Sequence, residues 1–218
     1  MALTTAKNYL LLTEGIDRRP RLRTRFTTQA YLVLAAVLDL VDQGVLAVTG
    51  DQMTIADPAR FDQLPQYLNA FKIRLKSDLA QDAQLKTALK LVTSWDIVNA
   101  LYDGLGAQTL AEQTTERVIF QNNLKPHVIY VPTDTSRNQV RTALLQQLST
   151  TNPTAAAWNL YEILAQQQAL TWVFSADQQR RLKTAVAQQP GNPTVQLLVA
   201  QAGEIIQAKK FEMDGWLS

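Results

Sequence analysis

The chain is predicted to fold as a single, mostly α-helical domain spanning residues 1–218, with one or two small β-hairpins. Three observations support this. Apolar residues recur at helical spacing through most of the sequence. Glycine and proline are sparse, eight of each, and the prolines fall between the periodic segments. Polar surface is made up by glutamine, while charged residues form only 18% of the chain, a balance that suits a helical globular protein better than a sandwich or a disordered chain. A chain of 218 residues is long enough to bury a sizeable core.

Taken in order, residues 4–13 read as a short helix with Tyr9, Leu10 and Leu12 on its apolar side. An arginine-rich loop follows. Thr27 or Thr28 is placed to cap the next helix, which runs to about Gln43. That helix is apolar nearly all round and so belongs at the centre of the fold, and Gly44 is its stop. The stretch VLAVTGDQMTI reads as a hairpin turning at Thr49-Gly50-Asp51-Gln52. Helical spacing resumes from about Asp62 to Ser94, and Gly104 and Gly106 mark a break in the segment 96–122. HVIYV, residues 127–131, reads as a strand bounded by Pro126 and Pro132. Asp134 or Thr135 begins a helix to Leu148, and Asn152-Pro153-Thr154 begins another through Leu170. Ser175 caps a helix that ends before Pro190, and a last helix spans about Thr194 to Lys210. No internal repeat or low-complexity linker is evident.

Several function classes are excluded by composition. With no cysteine there is no disulfide framework, thiolate metal site or thiol nucleophile. With His127 the lone histidine, a histidine-rich metal site or dyad is ruled out. Gly104-Leu105-Gly106 lacks the rest of a dinucleotide fingerprint, and no phosphate-loop lysine or nucleophile elbow is present. Glu112 and Glu116 are read as a solvated pair one helical turn apart. A non-enzymatic protein without cofactor or metal is expected. The longest apolar run, from Tyr31 to Val41, is about half the length needed to cross a bilayer. The N-terminus is a poor signal peptide, so a cytoplasmic protein is expected, peripheral on a membrane at most.

The strongest functional lead is a cationic patch. Arg18, Arg19, Arg21, Arg23 and Arg25 fall within DRRPRLRTRF, in a chain whose net charge is only +2. Pro20 opposes a helix interior there. In an extended segment side chains alternate, so Arg19, Arg21, Arg23 and Arg25 would share one face. Guanidinium forks on one face suit phosphate oxygens, because each binds bidentately and keeps its proton. Among the tryptophans, Trp158 with Tyr161 and Trp172 are assigned to packing, and Trp216 to an interfacial or partner contact.

Three stretches taken together resemble the Golgi phosphoprotein 3 family and its bacterial-type relatives. They are NYLLL followed by YLVLAAVLDLVDQGVL, then HVIYVPTDTSRNQVRTAL, then LYEILAQQQALTWVFSADQQRRLKTAVAQ, in the family's order. The resemblance implies a mostly helical phosphoinositide-binding adaptor on a membrane surface, with an apolar hairpin in contact with the membrane or with a second copy. Val128, Ile129, Tyr130 and Val131 match that hairpin. The family's headgroup-pocket positions fall near Thr24, Val33, Gln108 and Ala111, and none keeps the family's Trp or Arg. What the resemblance implies is thus an anionic-lipid partner without strong preference for phosphatidylinositol 4-phosphate. Nucleic acid is a less favoured partner, since only Phe26 offers a stacking ring beside the arginines. Homo-oligomers and a purely protein-binding scaffold for cytosolic tails are the other readings.

Overall fold

The computed structural model describes residues 2–15, 22–121, 126–187 and 189–215. In chain order the elements are α1 (Thr4–Thr13), α2 (Leu22–Asp42), β1 (Leu46–Thr49), β2 (Gln52–Ile55), α3 (Pro58–Asp62), α4 (Asn69–Gln81) and α5 (Leu85–Leu89). There follow α6 (Trp95–Ala111), β3 (Thr115–Gln121), β4 (Pro126–Pro132), α7 (Asp134–Leu148), α8 (Ala155–Gln166), α9 (Leu170–Val173), α10 (Ala176–Ala187) and α11 (Pro193–Gly215). The fold is mostly helical with two small antiparallel hairpins, as expected.

The apolar helix α2 is the axis of the core. From Ala30 to Leu38 every residue is buried, and α1, α6, α8 and α11 pack around it. Its one buried acid, Asp39, has a specific task. One carboxylate oxygen accepts from the Thr5 N–H at 2.9 Å and the other from the Ala6 N–H at 3.0 Å. Those amides belong to the first turn of α1, which has no intrahelical acceptor for them, and no side chain of α1 itself caps it. α2 ends at a left-handed Gly44, φ +67°, as the glycine stop predicts.

The first hairpin, β1–β2, turns at Gly50 (φ +60°) and pairs Leu46 with Ile55. The second was only half legible. HVIYV is not a lone arm, because TERVIFQ forms β3 and pairs with it along its length, Val118 opposite Ile129 and Arg117 opposite Tyr130. Ile129 (2% exposed) and Tyr130 (8%) are buried, and Val128 and Val131 are partly buried. The expectation of an exposed or semi-exposed hairpin over Val128–Val131 is therefore corrected at Ile129 and Tyr130, which face the core, and not at Val128 and Val131. Tyr130 lies flat on Gly106 of α6, where a Cβ would collide with its ring.

That contact also explains a second difference. Gly104 and Gly106 do not break a helix but sit inside α6, admitting the rings of Tyr67 and Tyr130 at distances no side chain would allow. Elsewhere the long helix expected over 62–94 is split into α4, α5 and 3-10 turns, because residues 82–84 pair with the first hairpin through Gln52 and Gln84. The helix opened by Thr154 stops at Gln166, with Gln168 at φ +60°. Thr133, not Asp134, caps α7, its hydroxyl accepting from the Ser136 N–H at 3.2 Å. Trp158 stacks near Tyr161 and is buried as expected, whereas Trp172 is 40% exposed. Glu116 lies on β3, so it does not share a helix face with Glu112, which instead meets Lys7 at 3.1 Å. Trp216 lies outside the described residues.

Candidate functional site

The arginine-rich segment divides at Leu22. Arg18, Arg19 and Arg21 lie outside the described residues. Arg23 and Arg25 are on the first turn of α2, which starts five residues before the expected Thr27 cap. Two positions on a helix are about 200° apart around its axis, so positions 23 and 25 do not fall on one face of the backbone. The extended one-face array is corrected at these two positions. Helical propensity of LRTRF, continuous with the apolar run behind it, outweighs the effect of Pro20 two residues upstream.

Arg25 turns inward. Its guanidinium lies 5.4 Å from the centre of the Tyr102 ring and donates to the Val128 carbonyl at 3.4 Å. Tyr102, on α6, is 4% exposed; its hydroxyl accepts from the Tyr130 N–H at 3.2 Å and acts on the Glu14 carboxylate nearby. Glu14 ends α1 and is 9% exposed. From the other side, Arg137 of α7 donates to the main-chain carbonyl of Glu14, and its guanidinium lies beside Gly15. The Arg137 Nε is buried without an acceptor among the described residues. The structure thus gathers Glu14, Arg25, Tyr102, Tyr130 and Arg137 from α1, α2, α6, β4 and α7. They meet where α1 gives way to the arginine-rich segment.

Burial pushes the Glu14 carboxyl above its usual range, while the Tyr102 bond, Arg25, the Gly15 N–H and Arg137 pull it back. Burial likewise pushes the Tyr102 hydroxyl far up, with Glu14 adding to it, so it stays a proton donor. Asp103 of α6 also lies under the influence of Arg25, so the two guanidinia stand against two carboxylates, Glu14 and Asp103. What is left over is the Arg137 Nε–H, donor capacity not taken up among the described residues. Sequence reasoning missed Glu14, Tyr102 and Arg137. Only their long-range packing marks them, since Glu14 and Arg137 are 123 residues apart.

The positions equated with the family's headgroup pocket are not gathered into one site. Val33 is fully buried in the core, while Gln108 and Ala111 are exposed on the last turns of α6, Gln108 bonded to Glu112 at 3.0 Å. Among the described residues no group of acidic side chains or histidine is arranged to hold a metal ion. No described helix is long and apolar enough to cross a membrane. Compared with protein-family models, with characterised proteins and with solved structures, the chain matches none.

Proposed function

We propose that this chain is a non-enzymatic binding protein that engages the anionic phosphate groups of a membrane surface through its arginine-rich segment, Arg18–Arg25. The observation that carries the reading is the placement of two guanidinia, Arg25 on the Val128 carbonyl and Arg137 on the Glu14 main-chain carbonyl, at the edge of a segment with four more arginines. Arg25 serves as the inward anchor of that segment, and Arg18, Arg19, Arg21 and Arg23 are the ones assigned to the lipid. Each basic residue near an anionic surface contributes about 1 kcal/mol. The family resemblance supports the same partner class. Its specificity for one phosphoinositide is not carried over, because Thr24, Val33, Gln108 and Ala111 replace the pocket residues.

Liposome co-sedimentation at moderate salt tests this. Binding to anionic but not neutral vesicles is expected, and the combined change of Arg18, Arg19, Arg21 and Arg23 to Gln should abolish it with circular dichroism unchanged. Vesicles of equal charge with and without phosphatidylinositol 4-phosphate should bind alike. Unaltered binding by the four-residue variant overturns the segment assignment. Preference for duplex DNA over anionic vesicles transfers it to nucleic acid.

A further inference from the structure

The tripeptide Asn-Pro-Thr occurs twice, at 152–154 and 192–194, and each copy opens a helix. The two turns face each other across a cleft of about 250 Å³ lined by Asn152, Pro153, Ala155, Trp158, Asn159 and Asn192, among others. The copies are used differently. Before α11 the Asn192 carboxamide is the cap, accepting from the Thr194 and Val195 N–H groups at 3.0 and 3.3 Å. Before α8 the cap has moved two residues along, to the Thr154 hydroxyl, which accepts from the Ala157 N–H. Asn152 is thereby relieved of capping, and the first amides of α8, those of Ala155 and Ala156, lack an intrahelical acceptor.

Two further polar atoms in the cleft wall lack partners. Trp158 and Asn159 are 7% and 0% exposed, yet the Trp158 indole N–H and the Asn159 side-chain oxygen have none. The Asn159 amide nitrogen is fixed, donating to Asp42 of α2, so its oxygen is held in place. Gln189 ties the two turns together, donating to the Leu148 and Thr150 carbonyls at 2.9 Å each. No charged side chain lines the cleft among the described residues, and Pro153, Pro190 and Trp158 supply apolar wall.

We propose that this cleft binds a small neutral ligand through a peptide-type amide. Its carbonyl is taken by the N–H donors at the start of α8 and by the Trp158 indole, and its N–H by the Asn159 oxygen. A secondary amide is a small neutral group that carries one acceptor and one donor directed to opposite sides, matching one unmet donor and one unmet acceptor on consecutive residues. The absence of lysine and arginine from the lining disfavours phosphate, which keeps this site distinct from the arginine cluster at the end of α1.

The test is a titration of the full chain, followed by the indole N–H resonance of Trp158, identified by its loss in Trp158→Phe. The probes are N-acetylglycine N-methylamide, glucose and inorganic phosphate. Saturable movement of that resonance with the amide alone is expected. Trp158→Phe, followed by the backbone amides of Asn152 and Ala156, should bind about tenfold more weakly for one lost hydrogen bond. Ala155→Pro is a second variant that preserves the fold, since proline is favoured at the first helical position and Thr154 already has the extended backbone (φ −64°, ψ 150°) that proline demands before it. It removes one donor and should weaken amide binding several-fold. Movement with glucose or phosphate as strong as with the amide, no movement with any probe, or undiminished affinity in both variants overturns the proposal.

Discussion

The two ends of α1 are both held by charges lent from other helices, and they differ in what is left over. At the N-terminal end the carboxylate of Asp39 takes the Thr5 and Ala6 amides, one on each oxygen, and is 3% exposed. At the C-terminal end Arg137 takes the last carbonyl, that of Glu14, but keeps a buried Nε–H with no acceptor among the described residues. Both arrangements follow the helix dipole, with an anion at the positive end and a cation at the negative one. The first end has both carboxylate oxygens taken by backbone amides and leaves over only the small Thr5 hydroxyl, so it reads as structure. The second has donor capacity to spare and lies beside the arginine-rich segment, which is why the candidate site falls there.

The largest effect expected from this comparison is a pH dependence carried by the closed end. Burial pushes Asp39 from 3.8 up to about 6, with nearby Asp42 adding to it and the Thr5 and Ala6 amides opposing it. A folded-state value above the unfolded one means that the protonated form is favoured by folding. The stability contributed is therefore full below pH 3.8 and lost as pH rises through about 6. At about 1.4 kcal/mol per pH unit this amounts to about 3 kcal/mol. Urea unfolding of the wild type and Asp39→Asn at a series of pH values should show the two curves diverging across that window. Parallel curves would refute the assignment.

The open end is probed next. Gly106→Ala forces a Cβ into the Tyr130 ring, and the Tyr130 N–H in turn donates to the Tyr102 hydroxyl, which acts on Glu14. A cost of about 2 kcal/mol in chemical denaturation is expected from overpacking this contact. Hydrogen exchange should quicken at residues 12–15 but not at Thr5 and Ala6. Uniform acceleration at both ends would show that they are not separately secured. The smallest effect is that of Tyr102→Phe, which keeps the ring beneath Arg25 and removes only the hydroxyl. About 1 kcal/mol should be lost, together with a shift in the titration of Glu14 followed by carboxyl carbon resonances. An unshifted Glu14 would mean that Tyr102 does not contact it in solution.

The candidate site was legible in one respect only. The concentration of arginines marks the stretch of chain next to the candidate cluster, but the one-face array required an extended segment. Arg23 and Arg25 are instead on α2, where an unbroken apolar helix extends backwards through them. Arg137 stood in a helix correctly expected from periodicity, yet nothing local distinguished it from Arg141 one turn later. The strand β3 carried a usable signal in Val118, Ile119 and Phe120, obscured by Glu116 and Arg117, whose charge fits an exposed hairpin face.

What the sequence determined by itself is the order and kind of most elements: α1 over residues 4–13, the all-round apolar α2, the Gly44 stop, the Gly50 hairpin and the helices opened by Thr154 and Ser175. Each rests on a repeat or turn preference confined to a few neighbouring residues, which a chain expresses wherever it goes. Only the tertiary structure decided that α6 runs unbroken through Gly104 and Gly106, that Ile129 and Tyr130 of HVIYV are covered rather than open, and that Glu14 meets Arg25 and Arg137. In each of these a group distant in sequence fills a gap or satisfies a charge. The two glycines are helical because Tyr67 and Tyr130 need the room, and the end of α1 is a site because α2, α6 and α7 bring their side chains to it.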